Sequence, residues 1–159
     1  MYIKLKQIAV ITGILLLSNF AARAQALSGT YSIPGSYSTI EAAVNALNLN
    51  GVSGAVTFDV GAGAAYTESP AGSIVLGSAV LNASTSATNT ITIRKAATAT
   101  ANPLINAYAG TKIASSTDSI DVMFAIVGTD YVTIDGIDLA ESIANTTNIT
   151  TMEVGFGLY

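Results

Sequence analysis

The densest set of side chains able to do chemistry is acidic: Asp130, Asp135, Asp138 and Glu141 fall within one short stretch. Carboxylates grouped this way can ligate calcium, which takes oxygen donors, or work as an acid and base pair. A plainer reading competes. Asp130 and Asp135 occupy turn positions, where a short acceptor bonds its own backbone, while Asp138 and Glu141 face solvent. The alternate-position ligands and closing bidentate Glu of an EF-hand loop are absent. These four residues are the candidate metal ligands, with calcium as the only cofactor considered, and no residue is assigned a catalytic role.

Other groups are weaker. Arg94-Lys95 is an adjacent basic pair suited to a sugar carboxylate or, more simply, to a solvated strand end. Tyr31, Tyr37, Tyr66, Tyr108 and Tyr131 could stack on sugar rings, but their spacing fits no single platform, so core or rim packing is expected. Gly61 and Gly63 do not form a phosphate loop, because no Lys-Ser/Thr follows and no helix starts there. Asn82-Ala83-Ser84, Asn145-Thr146-Thr147 and Asn148-Ile149-Thr150 fit the N-glycosylation pattern, and Asp118-Ser119-Ile120 resembles the short Asp-Ser/Thr-aliphatic site that some bacterial secretors O-glycosylate.

Histidine and cysteine are both absent. That removes Ser–His and Cys–His nucleophilic dyads and the usual zinc and iron sites. Disulfides are excluded too, so stability must come from burial and backbone pairing. Charged residues make up 10% of the chain, against roughly 25% in an average globular protein. Hydroxyls and amides, rather than ions, coat such a surface.

The elements that must position these groups begin with an export signal. Lys4 and Lys6 precede an apolar run from Ile8 to Leu17, and Ala22-Arg23-Ala24 supplies small residues ahead of Gln25. This order is that of a cleavable secretory signal over residues 1–24, read by the export machinery. A membrane anchor would need roughly 20 apolar residues, about twice this run, and no later segment is long enough to span. The protein is therefore expected to be secreted or on the outer cell surface. Cleavage leaves Arg94, Lys95 and Lys112 against ten acidic residues, three minus ten, a formal charge of −7. Three scattered cations cannot replace phosphate counterions, so nucleic acid is excluded as a partner.

In the mature part, residues 25–159, one helix stands out. Ser38-Thr39-Ile40-Glu41 reads as a capping box, Ile40, Ala43, Val44 and Leu47 form an apolar stripe, and Gly51 suits a left-handed stop. The period then changes to two, with Val56, Phe58 and Val60 on one face. Short β-like runs follow at Tyr66 to Glu68, Ser73 to Leu76, Thr90 to Arg94, Leu104 to Asn106, Val122 to Val127, Tyr131 to Ile134 and Ile137 to Leu139. Ala96 to Ala101 reads as a solvated turn or loop, and no second helix of convincing length appears. Many short strands without helices mean an all-β fold. Asp135-Gly136 could close a hairpin in a sandwich or turn a corner between two strands of a solenoid coil. The second is favoured, because Ile137 and Leu139 resume an inward pattern without reversal.

Those residues carry a family likeness. Tyr37 to Leu47 resembles the opening helix of the pectin-lyase-like superfamily, where it caps the amino end of a right-handed parallel β-helix. Val56 to Val60, the Gly-rich turn and Tyr66-Thr67-Glu68 look like that family's first strand and its continuation. Ile91-Thr92-Ile93 is similar to its next strand, and Asp130 to Leu139 to its recurrent coil. The likeness covers residues 30 to 140 in order and extends to large secreted β-helix proteins of type IX secretors, though nothing here looks like their sorting domain. It implies a solenoid with an amino-terminal capping helix and a carbohydrate-related role. The family's catalytic carboxylates and Arg lie on later coils, so none is carried over. Because Gly155 to Tyr159 runs as a strand, the chain is expected to be truncated at its carboxy-terminal end, the first part of a longer β-helix domain. Two functional readings follow: a non-catalytic segment for display or for binding extracellular polysaccharide, or the leading portion of a polysaccharide lyase, hydrolase or pectin-esterase-like enzyme. The lack of paired carboxylates converging beside an Arg favours the first.

Overall fold

A computed structural model describes residues 25–62, 66–67, 73–109, 122–145 and 154–159. Residues 1–24, for which the sequence suggests an export signal, lie outside them. Among the described residues no helix is long and apolar enough to cross a membrane.

The chain is mostly β-strand, with few helices. It opens with β1 (Leu27–Ile33), followed by helix α1 (Ile40–Asn50) and then β2 (Val52–Val60). Next come β3 (Tyr66–Thr67), β4 (Ile74–Leu76), a single-turn helix α2 (Ala79–Asn82) and β5 (Ile91–Lys95). The remaining strands are β6 (Leu104–Asn106), β7 (Val122–Ile126), β8 (Val132–Asp135), β9 (Asp138–Ala140) and β10 (Val154–Leu158). They form three sheets, ordered β1-β2-β5-β8, β3-β6-β9 and β4-β7-β10, and every pairing between described strands is parallel. From β2 onward the chain visits the three sheets in a fixed rotation, and from β5 onward each strand pairs with the strand three before it in the chain.

The register explains the alternation in the sequence. Tyr31, Phe58, Ile93 and Ile134 stand on successive rungs of the first sheet, as do Val56, Ile91 and Val132 beside them. In the third sheet Ile74, Phe124 and Phe156 align, with Leu76, Ile126 and Leu158 two positions on. Side chains alternate faces along a strand, so these rows meet in one core that includes Val56, Phe58, Leu76, Ile91 and Phe124. Phe58 is the centre of an aromatic cluster, stacked on Tyr31 at 5.6 Å and edge-on to Tyr37 at 5.7 Å.

Helix α1 buries Ile40, Ala43, Val44 and Leu47, the stripe that the sequence marks. It packs against β4 and α2. Its cap differs from the expected one. Thr39, not Ser38, is the N-cap: its backbone is extended and its Oγ1 accepts from the Ala42 N–H at 3.0 Å. Glu41 then sits one position too early for the reciprocal bond of a capping box. Gly51 ends the helix at φ 67°, donating to the Leu47 carbonyl at 2.8 Å. Asp135-Gly136 is a corner and not a hairpin turn. Gly136 adopts φ 65°, and β8 and β9 enter different sheets.

Candidate functional site

The four acidic candidates are separated by that corner. Asp135 ends β8 in register with Arg94, whereas Asp138 opens β9 and accepts from Asn102 Nδ2 at 2.9 Å. Glu141 Oε1 accepts from the Ser142 N–H at 2.9 Å and from Asn145 Nδ2 at 2.7 Å. Asp130 lies exposed on the connection before β8. Among the described residues no three acidic side chains converge as a metal-binding group. Asp138 is instead bonded to Asn102, 36 residues away, and Glu141 to nearby Ser142 and Asn145.

A different polar constellation appears on the outward face of the first sheet. Thr30, Thr57, Thr92 and Thr133 form one row across β1, β2, β5 and β8. Two positions along each strand, Ser32, Asp59, Arg94 and Asp135 form a second row. Parallel strands lie about 4.8 Å apart, so hydroxyls repeat at that spacing beside an acid–base–acid series. Arg94 Nε donates to Asp59 Oδ1 at 2.8 Å. That hydrogen bond and the Asp59 charge hold the guanidinium above its ordinary range, with Asp135 adding to the effect. The pair is solvated, so it orients side chains more than it stabilises the fold. Arg94 is thus the solvated strand-end residue expected, and it also pairs with Asp59 on the neighbouring strand. Sequence reasoning missed the row because Asp59, Arg94 and Asp135 become neighbours only through the register.

The remaining candidates fall into place individually. Tyr31 and Tyr37 belong to the Phe58 cluster, and buried Tyr66 donates through Oη to the Ile33 carbonyl at 3.4 Å. Tyr131 is exposed, and Tyr108 is half-buried. Asn145 is fully buried and its Nδ2 donates to the Tyr108 carbonyl at 2.7 Å, which is incompatible with a glycan on that nitrogen. Asn82 Nδ2 is engaged by the Val127 carbonyl at 3.0 Å. Gly63, Glu68, Lys112, Ser119 and Asn148 lie outside the described residues.

Two asparagines, Asn48 and Asn82, make long-range side-chain bonds that no motif in the sequence anticipates. Asn48 Nδ2 donates to the Val75 carbonyl at 2.7 Å while its Oδ1 accepts from the Gly77 N–H at 2.9 Å. One circuit later Asn82 holds the Val127 carbonyl, and its Oδ1 accepts from Thr129 Oγ1 at 2.6 Å. Gly77 is required there, since a Cβ would run into the Val127 carbonyl oxygen.

At the β8–β10 end of the stack the core opens. An apolar hollow of about 380 Å³ is lined by residues including Ile126, Val132, Ile134, Ile137, Phe156 and Leu158. Phe156 and Leu158 are 41% and 78% exposed, while Phe124, one rung below Phe156, is 1% exposed.

No family model, curated protein or solved structure matches the chain. The likeness to the pectin-lyase-like superfamily therefore rests on the residue motifs alone.

Proposed function

We propose that this chain is an exported, non-catalytic segment of a right-handed parallel β-helix, capped at its start by α1, that presents its first sheet to extracellular polysaccharide. The observation that carries this reading is the fixed rotation of the strands through three parallel sheets. Such an order is what a solenoid requires, and parallel crossovers are right-handed in about 98% of cases. In this reading residues 1–24 are removed during export, and the mature chain is secreted or held on the outer surface as the leading part of a longer protein. The Thr and Ser/Asp/Arg/Asp rows supply donors and acceptors in the alternation that sugar hydroxyls use.

The test combines compartment and ligand. The exported protein should begin at Gln25 by amino-terminal peptide mass. Displayed on a polysaccharide array, it should retain at least one hydroxyl-rich polymer, and Thr92→Val with Arg94→Ser should abolish retention. No retention, or retention indifferent to both substitutions, refutes the polysaccharide role.

The enzymatic reading has one observation in its favour: Asp59 and Asp135 flank Arg94 on an open face. It requires release of reducing ends, unsaturated products or methanol from polysaccharide, lost in Arg94→Ala. The non-catalytic reading expects no product from either protein.

A further inference from the structure

Resting on that architecture, we infer that the β8–β9–β10 end is a docking surface for one further parallel coil, whose first strand carries an apolar, a hydroxyl, an apolar and a basic residue in succession. Three observations converge on this occupant. The apolar rows continue into the hollow: Ile91 and Ile93 are 0% and 2% exposed, and Val132 and Ile134 above them are only half-covered. Among the described residues β8, β9 and β10 have no strand on their outer edges, and an unpaired edge beside an open apolar interior is a template for another strand. The outward rows specify the chemistry of that strand. Thr30, Thr57, Thr92 and Thr133 call for a further hydroxyl, and the Asp59–Arg94–Asp135 series ends on a carboxylate that a cation would neutralise.

A second copy of this chain is a poorer occupant. The edge it could offer is β1, which would set Gly29 over Val132 and Ser32 over Asp135 if it continued the existing register. The row would then end in a glycine beside an apolar hollow and a hydroxyl in place of a cation. In addition, α1 lies against β4 at that end of the molecule. Ile91-Thr92-Ile93-Arg94 has the required pattern, yet β5 already pairs with β2 and β8 on its two edges.

The same four residues provide the probe. The mature chain is extended after Tyr159 by a copy of residues 128–131, the link that leads into β8, and then by a copy of residues 91–126. The Tyr159 main chain already pairs with the entry to this link, its carbonyl accepting from the Gly128 N–H at 2.9 Å and its N–H donating to the Ile126 carbonyl at 2.9 Å. The extended chain should melt higher by about 5 °C or more and bind about threefold less anilinonaphthalene sulfonate than its parent. Arg94→Glu made only in the added copy should remove part of the gain, and high salt should narrow the difference between the two extended chains. Unchanged melting and dye binding on extension overturn the inference. So does a parent that self-associates at this end and already excludes the dye, since the occupant is then a second copy. Spin labels on Thr57 and Thr92 of the parent distinguish a failed docking from a failed architecture, because their rung spacing does not depend on the added coil.

Discussion

Replacing Asn48 by Ala separates a tertiary clamp from a helix effect, because the two act with opposite sign. Asn48 is near the end of α1, and its side chain makes two bonds to the turn after β4, to the Val75 carbonyl and from the Gly77 N–H. A hydrogen bond of this kind contributes about 0.5–1.5 kcal/mol net, so Asn48→Ala should lose about 1–3 kcal/mol before any compensation. The Ser78 hydroxyl keeps its bond to the Asn48 backbone carbonyl, which the substitution leaves in place. Alanine is the better helix former by up to about 0.7 kcal/mol, which trims the loss without reversing it. Asn45 is exposed on the same helix, and Asn45→Ala should therefore be neutral or slightly stabilising. Urea unfolding of residues 25–159, extrapolated linearly with the slope held as a check on two-state behaviour, measures both variants. Equal midpoints for Asn48→Ala and Asn45→Ala would refute the clamp.

Three further outcomes follow from the same contacts. Phe58→Ala should destabilise by about 3–5 kcal/mol, since the ring is fully buried and touches both Tyr31 and Tyr37; a loss below about 1 kcal/mol by urea melt would contradict its central position. Burial pushes the Tyr66 phenol above its ordinary range, and burial followed by the nearby Tyr31 does the same for Tyr37. The unfolded chain then loses these protons first as pH rises through about 10. Stability is held below that pH and falls above it, less steeply in Tyr66→Phe, as melting temperatures between about pH 8 and pH 11 should record. Millimolar calcium should leave the melting temperature unchanged, because Asp135, Asp138 and Glu141 are aligned with or bonded to different partners; a rise of several degrees would show that they can still be gathered.

What was legible in the residues was local and periodic. The stripe Ile40, Ala43, Val44 and Leu47 and the stop at Gly51 define α1, because each signal lies within one helix. The corner at Asp135-Gly136 was readable because inward residues resume after it without the reversal that a hairpin imposes. Strand β1 left little trace, since Leu27 and Ile33 are its buried ends and the residues between them are exposed or half-exposed. The acidic group looked dense only along the chain; folding sends Asp135 and Asp138 into different sheets. Conversely, the Asp59–Arg94–Asp135 row and the Asn48 and Asn82 clamps join residues from separate circuits. No window of sequence contains such a contact, because register decides it.

The central claim is that Thr30, Thr57, Thr92 and Thr133 stand on four consecutive parallel rungs. The chain contains no cysteine, so pairs of Thr→Cys substitutions carry spin labels on a clean background. Dipolar broadening should be strongest and alike for Thr30/Thr57, Thr57/Thr92 and Thr92/Thr133, about 4.8 Å apart along the stack. It should weaken stepwise for Thr57/Thr133 and then for Thr30/Thr133, three spacings or roughly 14 Å apart. Strong coupling of Thr30 with Thr133, or none between Thr57 and Thr92, would contradict the parallel stack.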